Sequence, residues 1–186
     1  MKIIKIFIFL FIFTGCYEFQ PYNDTSGDPK TWSDEKVLRV AAGNEKFPIV
    51  INKMKSSSPN SASGVDAIIK YRNMSSKVIK YAYFTVVPYN GVGDPVACSI
   101  RNKRAMLLKD TGPIKPGEYS DGVWGCIWYN WSIKSIKITW IKIIYMDNTQ
   151  RIVVNKKNIN RFTETNTNSV EKERIKLINK YNSKNI

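Results

Sequence analysis

The run IKSIKITWIKIIYM, residues 133–146, carries the strongest structural signal in this 186-residue chain. Within it, Ile136 and Ile138 hold even positions, whereas Ile141, Ile143 and Tyr145 hold odd positions. Successive side chains of a strand point to opposite faces of a sheet, so this alternation is typical of a β-strand with one buried face. The change of parity predicts a β-bulge near Trp140, which returns the later apolar side chains to the core.

Shorter runs of the same kind lie on both sides of this strand. Asp147-Asn148 suits a tight turn with left-handed φ angles, and Thr149–Val154 then returns as the partner strand. Upstream, the run 78–87 is apolar at both parities, as expected of a central strand. Further alternating runs begin at Ile49, Val65 and Val96. Short runs parted by turn residues favour an antiparallel all-β sandwich or barrel over an α/β fold.

Composition restricts the chemistry that the chain can perform. The sequence has no histidine, which removes the usual general base and the commonest metal ligand. Its three cysteines form no metal-ligand pair spacing, and no local spacing of carboxylates specifies a Ca²⁺ or glycosidase site. We therefore expect no enzyme, no cofactor and no metal, and an unrecognised carboxylate hydrolase is the least favoured alternative.

The chain is strongly basic, with 29 Lys and Arg against 15 Asp and Glu and a net charge of +14. Such an excess can indicate nucleic acid, anionic lipid or acidic polymers as partners. Lys, Ile and Asn are abundant throughout, so solvated strand faces explain much of the charge. We favour that explanation and expect no nucleic-acid partner.

The first residues have the layout of a secretory leader. Lys2 and Lys5 precede an apolar run over 6–13, which is too short to span a bilayer as a helix. Phe13-Thr14-Gly15-Cys16 resembles the lipobox of bacterial lipoproteins, with Phe13 where Leu is usual. The resemblance implies that residues 1–15 are removed and that Cys16 carries acyl chains, which hold the exported protein on the cell membrane or outer membrane. The alternative is ordinary cleavage elsewhere.

Three regions follow the leader. Residues 16–46 are mostly polar and suit a tether, within which Ser33 could cap a short helix that ends near Gly43. Residues 47–155 form the β-rich domain. Residues 156–186 form a basic tail, either disordered or helical, with Asn168 as the cap of a helix that reaches Tyr181.

A series of short motifs runs through the β-rich region. In chain order they are Ser63-Gly64-Val65, Tyr81-Ala82-Tyr83-Phe84-Thr85-Val86, Pro88-Tyr89-Asn90, Val92-Gly93-Asp94, Cys98-Ser99-Ile100-Arg101, Thr111-Gly112-Pro113-Ile114-Lys115-Pro116-Gly117, Trp128-Tyr129-Asn130 and Tyr145-Met146-Asp147. Their order and spacing, over about Asn52 to Arg151, resembles a bacterial domain family of unassigned function that occurs in exported proteins. The resemblance implies an immunoglobulin-like antiparallel β-sandwich, and it transfers no catalytic residues. Asn148 stands where Gly is usual in that family, which bears on the turn type.

Two cysteines remain if Cys16 is acylated. Outside the cytosol, Cys98 and Cys126 could form a disulfide worth about 3 kcal/mol. Equally, Cys98 lies at an apolar parity and could be a small buried hydrophobe. The sequence leaves both alternatives open.

Four aromatic residues crowd into eight positions: Trp124, Trp128, Tyr129 and Trp131. If exposed, they would form a platform for a sugar ring or a peptide. If buried, they fill the sandwich. Alternation places Trp128 opposite Tyr129 and Trp131, so at least one face belongs to the core, and we favour core filling.

These features predict a non-catalytic envelope lipoprotein whose immunoglobulin-like domain mediates binding or assembly at the membrane face. Its expected partners are the membrane, through the lipid anchor, and a protein or glycan ligand. The second hypothesis is a structural accessory subunit of an envelope complex. The sequence does not specify an oligomeric state.

Overall fold

The computed structural model describes residues 24–154, 156–163 and 166–183. The predicted signal peptide and the predicted anchor Cys16 lie outside the described residues. Seven antiparallel strands and three α-helices make up the described chain, preceded by a 3-10 turn over Pro29–Thr31. Because strands dominate and helices are few, the prediction of an all-β antiparallel sandwich is confirmed.

The strands form two sheets. In chain order they are β1 (Ile49–Ser56), β2 (Gly64–Asn73), β3 (Ile79–Tyr89), β4 (Met106–Ile114), β5 (Tyr119–Tyr129), β6 (Ser135–Tyr145) and β7 (Gln150–Val153). The three-stranded sheet has the order β1-β2-β5, and the four-stranded sheet has the order β4-β3-β6-β7. Strand β3 therefore lies in the centre of its sheet, as its apolar composition predicted.

The bulge predicted in β6 is confirmed. The pairing of β3 with β6 moves from Thr85↔Trp140 to Val86↔Ile138, so Thr139 has no partner in the ladder. This extra residue restores the inward direction of Ile141, which is fully buried. The hairpin to β7 is also confirmed, and Asn148 adopts a φ of 61° in its turn.

One core lies between the two sheets. Its largest side chains include Trp128, Tyr71 and Phe84, and the last two rings meet edge to face at 5.2 Å. The Tyr71 hydroxyl donates to Asp110 at 2.9 Å, and the Ser120 hydroxyl donates to the same carboxylate at 2.5 Å. Burial, with the charge of Asp110, raises the pKa of Tyr71 well above its usual range. This polar contact joins the three-stranded sheet to β4.

Helix α1 (Asp34–Asn44) corrects part of the predicted tether over 16–46, which the structure describes from residue 24 onward. The predicted cap is present, since the Ser33 hydroxyl accepts from the Lys36 N–H at 3.2 Å. However, Val37 and Leu38 are fully buried in the core cluster. Apolar residues at helical spacing give α1 a stripe that packs on the sandwich. Residues 29–44 therefore belong to the folded unit.

The C-terminal region is helical, which was one of the two alternatives for the tail. Helix α2 spans Lys156–Arg161, and helix α3 spans Thr167–Asn182. The cap of α3 is Asn166 rather than the predicted Asn168, and it accepts from the Ser169 N–H at 3.3 Å. Val170 is buried in the core cluster, so α3 packs against the body of the protein.

Two arginines bind α3 to the N-terminal elements. Arg161 donates from Nε and Nη2 to Glu173 at 2.5 and 2.8 Å, and it also pairs with Glu45 just after α1. Arg174 donates to the backbone carbonyl of Trp32 at 2.5 Å and to Asp34 at 2.6 Å. The two ends of the described chain therefore form one helical layer at one end of the sandwich.

Candidate functional site

The outer surface of the four-stranded sheet presents tyrosines, a tryptophan and lysines on neighbouring strands. Tyr83 of β3 is paired with Lys109 of β4 on one side and with Lys142 of β6 on the other. One row along, Thr85 is paired with Leu107 and Trp140. We call this surface the aromatic–lysine face, and it consists of Tyr81, Tyr83, Thr85, Tyr89, Leu107, Lys109, Lys137, Trp140, Lys142 and Ile152.

Strand alternation places these side chains outside. Ala82 and Phe84 are fully buried, so Tyr81 and Tyr83 between them must point to the other face of the sheet. The sequence does not reveal this surface. Because β3 is apolar at both parities, Tyr81 and Tyr83 were expected to be core residues. Only the pairing with Lys109, which is distant in sequence, identifies the face.

Contacts between cations and rings order the face. The Lys109 Nζ lies 3.8 Å from the ring centroid of Tyr81 and 6.0 Å from that of Tyr83. The two tyrosine rings meet edge to face at 6.3 Å, and the Lys137 Nζ lies 4.4 Å from the ring centroid of Tyr89. Each such contact contributes about 0.5–1 kcal/mol at an exposed position, which limits the motion of the lysine side chains.

The face is accessible to solvent. Leu107 is 61% exposed at one edge of the sheet, and Ile152 is 47% exposed at the other. Tyr83 and Trp140 lie between them and are half-buried. Within the described part of the chain, no acceptor binds the indole N–H of Trp140. A ligand on this sheet could therefore meet apolar, aromatic and donor groups together.

The positive charge of the aromatic–lysine face is not neutralised by carboxylates. Within the described residues, no Asp or Glu points outward from β3, β4, β6 or β7, since Asp110 faces the core at Tyr71. Asp147 lies in the β6–β7 turn and binds Lys77 at 2.6 Å. The hydrogen bond from Lys77 lowers the pKa of Asp147 to about 2. The lysines of the aromatic–lysine face thus produce a positive potential that attracts anions.

The three-stranded sheet differs, because its outer surface carries carboxylates as well as basic side chains. Lys70 contacts Asp121 at 3.4 Å. Arg72 donates to Glu35 of α1 at 2.8 Å and to the Tyr119 hydroxyl at 3.0 Å. Burial alone would raise the pKa of Glu35, but hydrogen bonds from Tyr119 and Arg72 hold it below its ordinary value. This surface is partly covered by α1 and is the weaker candidate.

A basic groove forms a second candidate beside the helical layer. Its volume is about 660 Å³, and it lies between the end of α1, the β2–β3 turn and the β6–β7 hairpin. Its cationic residues are Lys46, Lys77 and Arg151, and its apolar ones include Phe47 and Tyr145. Volumes of this size suit small ligands. However, Lys77 is already paired with a carboxylate, so the groove offers less free charge than the aromatic–lysine face.

The four aromatic residues singled out from the sequence do not form one platform. Trp128 is fully buried, and its indole N–H donates to the Arg104 carbonyl at 3.3 Å. Trp124 meets Phe84 edge to face at 6.2 Å. Tyr129 is half-buried, and only Trp131, 61% exposed, is open to solvent. The alternative of a single aromatic platform is therefore wrong. Core filling, which the alternation of β5 favoured, is confirmed for Trp128.

Both remaining cysteines are free thiols, so the disulfide left open by the sequence is not formed in the structure. Cys126 lies in a bulge of β5 with a φ of 47°, and its N–H donates to Asp66 at 2.8 Å. Cys98 is buried and accepts from the Tyr129 N–H at 3.4 Å. Burial opposes ionisation of Cys98, but backbone N–H groups, first that of Arg101, outweigh it and lower its pKa.

The described residues hold neither a cluster of metal-ligating side chains nor a membrane-spanning helix. No group of three or more His, Cys, Asp or Glu side chains there could hold a metal ion. None of the helices in the same ranges is long and apolar enough to cross a membrane.

Comparison with known proteins gives little more. No family model matches the chain, and no curated protein matches it. Among solved structures, the chain is similar to a hypothetical protein from Peptoclostridium difficile 630, determined by X-ray crystallography at 1.85 Å. The two are 11% identical, the match covers 60% of this chain and 89% of the other, and the TM-score is 0.43.

Proposed function

We propose that the protein is a lipid-anchored, non-catalytic component of the bacterial cell envelope that binds a partner through the aromatic–lysine face. One observation carries the proposal: Tyr83 lies between Lys109 and Lys142 on an exposed sheet that presents no carboxylate among its described outward residues. Aromatic side chains supply large contact area at low entropic cost, and they are enriched at recognition surfaces.

We propose further that the sandwich is immunoglobulin-like. In the constant-type immunoglobulin domain, the first, second and fifth strands share one sheet, and the third, sixth and seventh share the other. Strands β1-β2-β5 and β3-β6-β7 have the same grouping here. Strand β4 pairs with β3 rather than with β5, so it lies on the other sheet from its constant-type counterpart.

The membrane placement is supported by the sequence at the N-terminus. Two lysines, an apolar run and Phe13-Thr14-Gly15-Cys16 follow the order of a bacterial lipoprotein signal. Acyl chains on Cys16 would hold the folded unit at the bilayer, because two buried chains anchor a protein stably.

The non-catalytic proposal is supported by the absence of histidine from the whole sequence. In addition, the carboxylates with the most contacts have structural partners. Glu173 binds Arg161, Glu35 binds Arg72, and Asp110 is held by the Tyr71 hydroxyl.

A second candidate is an accessory subunit of an envelope complex. The observation that favours it is the pair of exposed apolar side chains at opposite edges of the face, Leu107 and Ile152, which a flat protein surface could cover. In this case the partner captured at the face would be an envelope protein rather than a separate ligand.

Mass spectrometry of the mature N-terminus tests the anchor. We expect a diacylglycerol thioether on Cys16 and no trace of residues 1–15, and Cys16→Ser should release the protein from the membrane fraction. A mature chain that begins elsewhere without acyl chains contradicts the anchoring.

Photo-cross-linking in cells tests the binding face. A photoreactive residue replaces Thr85 at the centre of the aromatic–lysine face or, as a matched control, exposed Val123 on the three-stranded sheet. We expect a discrete adduct from position 85 and none from position 123. Adducts from position 123 alone, or from neither position, contradict the proposal.

A further inference from the structure

We infer that the ligand of the aromatic–lysine face is an acidic polysaccharide, meaning a chain of sugar units that carry carboxylate groups. This inference rests on the proposed function, because it names the ligand class of the same face. It combines three properties of that face: spaced cations, neutral hydrogen-bonding groups, and aromatic rings whose faces are partly occupied.

The cations are spaced to meet successive charges of a polymer. Lys109 and Lys142 pair with Tyr83 from opposite sides, so their strands are two strand spacings apart, or about 10 Å. Lys137 lies further along β6, next to Tyr89. Positive charges distributed across and along the sheet suit an extended anionic chain better than a single small anion.

Neutral groups between the lysines suit sugar hydroxyls. The row that contains Tyr81 also contains Thr111 of β4, Ile144 of β6 and Gln150 of β7. The Thr85 hydroxyl and the Trp140 indole N–H belong to the row on the other side of Tyr83. Hydroxyl, amide and indole groups donate to or accept from the hydroxyls of a sugar ring, while the ring of Trp140 supplies an apolar surface.

The same geometry disfavours single-stranded nucleic acid. Stacking of bases requires open ring faces. Lysine ammonium groups lie 3.8 Å from the Tyr81 centroid and 4.4 Å from the Tyr89 centroid. The described outward residues of the four strands include no arginine, which is the side chain that binds phosphate in a bidentate manner and stacks on bases.

The test measures binding of the full chain, purified in nonionic detergent, to immobilised polymers. The probes are polygalacturonate, neutral dextran and oligodeoxythymidylate at low and physiological ionic strength. We expect binding to polygalacturonate that weakens with salt, no binding to dextran, and weaker binding to the oligonucleotide. The double variant Lys109→Gln/Lys142→Gln should weaken polygalacturonate binding about tenfold or more, since it removes two charge-assisted contacts.

The matched control is Lys53→Gln/Lys55→Gln, which removes two exposed lysines from β1 of the other sheet. Its affinity should stay within about twofold of the parent, as expected of charges that do not touch the ligand. All substituted side chains point outward, and a melting curve of each variant verifies folding.

Three results would overturn the inference: no binding to polygalacturonate, an equal loss in the control pair, or tighter binding to oligodeoxythymidylate. If the inference fails while a photoreactive residue at position 85 still forms an adduct in cells, the proposed function stands with a different partner. If both fail, the face is not a binding surface.

Discussion

Replacement of Glu173 by Gln tests whether the C-terminal helix is part of the fold. Glu173 is only 5% exposed and accepts from Arg161 at 2.5 and 2.8 Å and from Lys176 at 2.9 Å. Loss of one partner of a fully buried ion pair costs about 3–5 kcal/mol. Arg161 here is partly exposed and keeps its contact with Glu45, so we expect a smaller loss of about 2 kcal/mol in the free energy of unfolding.

The loss should depend on pH. Burial alone would raise the pKa of Glu173, but hydrogen bonds from Arg161 and Lys176 hold it below its ordinary value. A carboxyl whose pKa is lowered by folding stabilises the protein above its unfolded pKa, which is about 4.3, and the effect disappears as the pH falls through the folded value. The difference between parent and Glu173→Gln should therefore be complete at neutral pH and shrink below about pH 4.

Urea denaturation at several pH values measures this difference. The matched control is Glu171→Gln on the same helix, because Glu171 is 61% exposed and contacts Arg174 at 3.3 Å. We expect the control to change the free energy of unfolding by less than about 0.5 kcal/mol. Equal, small effects of both substitutions at every pH would refute the reasoning, since α3 would then contribute nothing to the folded unit.

Three further experiments test the packing. Gly112→Ala should destabilise the protein by more than about 2 kcal/mol, because a Cβ there would lie 2.2 Å from the backbone oxygen of Ile79. Gly43→Ala in α1 should instead stabilise the protein by up to about 1 kcal/mol, because a Cβ there would meet no atom within 4 Å. Melting curves compare the two variants. Trp128→Ala should lower the free energy of unfolding by about 3–5 kcal/mol, and exposed Trp131→Ala should lower it by less than about 0.5 kcal/mol. Urea denaturation measures both, and similar losses would contradict the placement of the two indoles. Under native conditions a thiol reagent should modify the half-buried Cys126 and spare the buried thiol, and peptide mass spectrometry that finds the reverse would contradict the structure.

The strands that the sequence predicts best are those whose register is specified locally. In β6, the change of parity around Trp140 identified both the strand and its bulge, because a slip of one residue would turn the buried isoleucines to the outer face. The β6–β7 turn was equally local, since Asn148 tolerates the positive φ that the turn requires.

The parts that the sequence could not predict depend on distant contacts. The ion pairs of Arg161 with Glu45 and of Arg174 with Asp34 join residues more than a hundred positions apart. No local pattern indicates such partners, so the C-terminal region could be read as either a helix or a disordered tail. The apolar stripe of α1 was a usable signal that the segment packs, and reading 16–46 as a tether ignored it.

The candidate face could be found only from strand pairing. Sequence reasoning concentrated on residues 124–131 because their aromatic side chains are adjacent in the chain. The structure brings Tyr83, Lys109 and Trp140 together from three strands, and it buries Trp128 instead. Clustering along the sequence is a poor guide to clustering on a sheet, since neighbours in a strand point to opposite faces.

The central claim, that the aromatic–lysine face is covered in the cell envelope, is tested most directly by acetylation of lysines in intact cells and in purified protein. Peptide mass spectrometry compares Lys109, Lys137 and Lys142 with Lys53 and Lys55 of the other sheet. The account predicts protection of the first three in cells and equal reactivity of the other two in both samples. Equal reactivity of all five, or protection confined to Lys53 and Lys55, would contradict it.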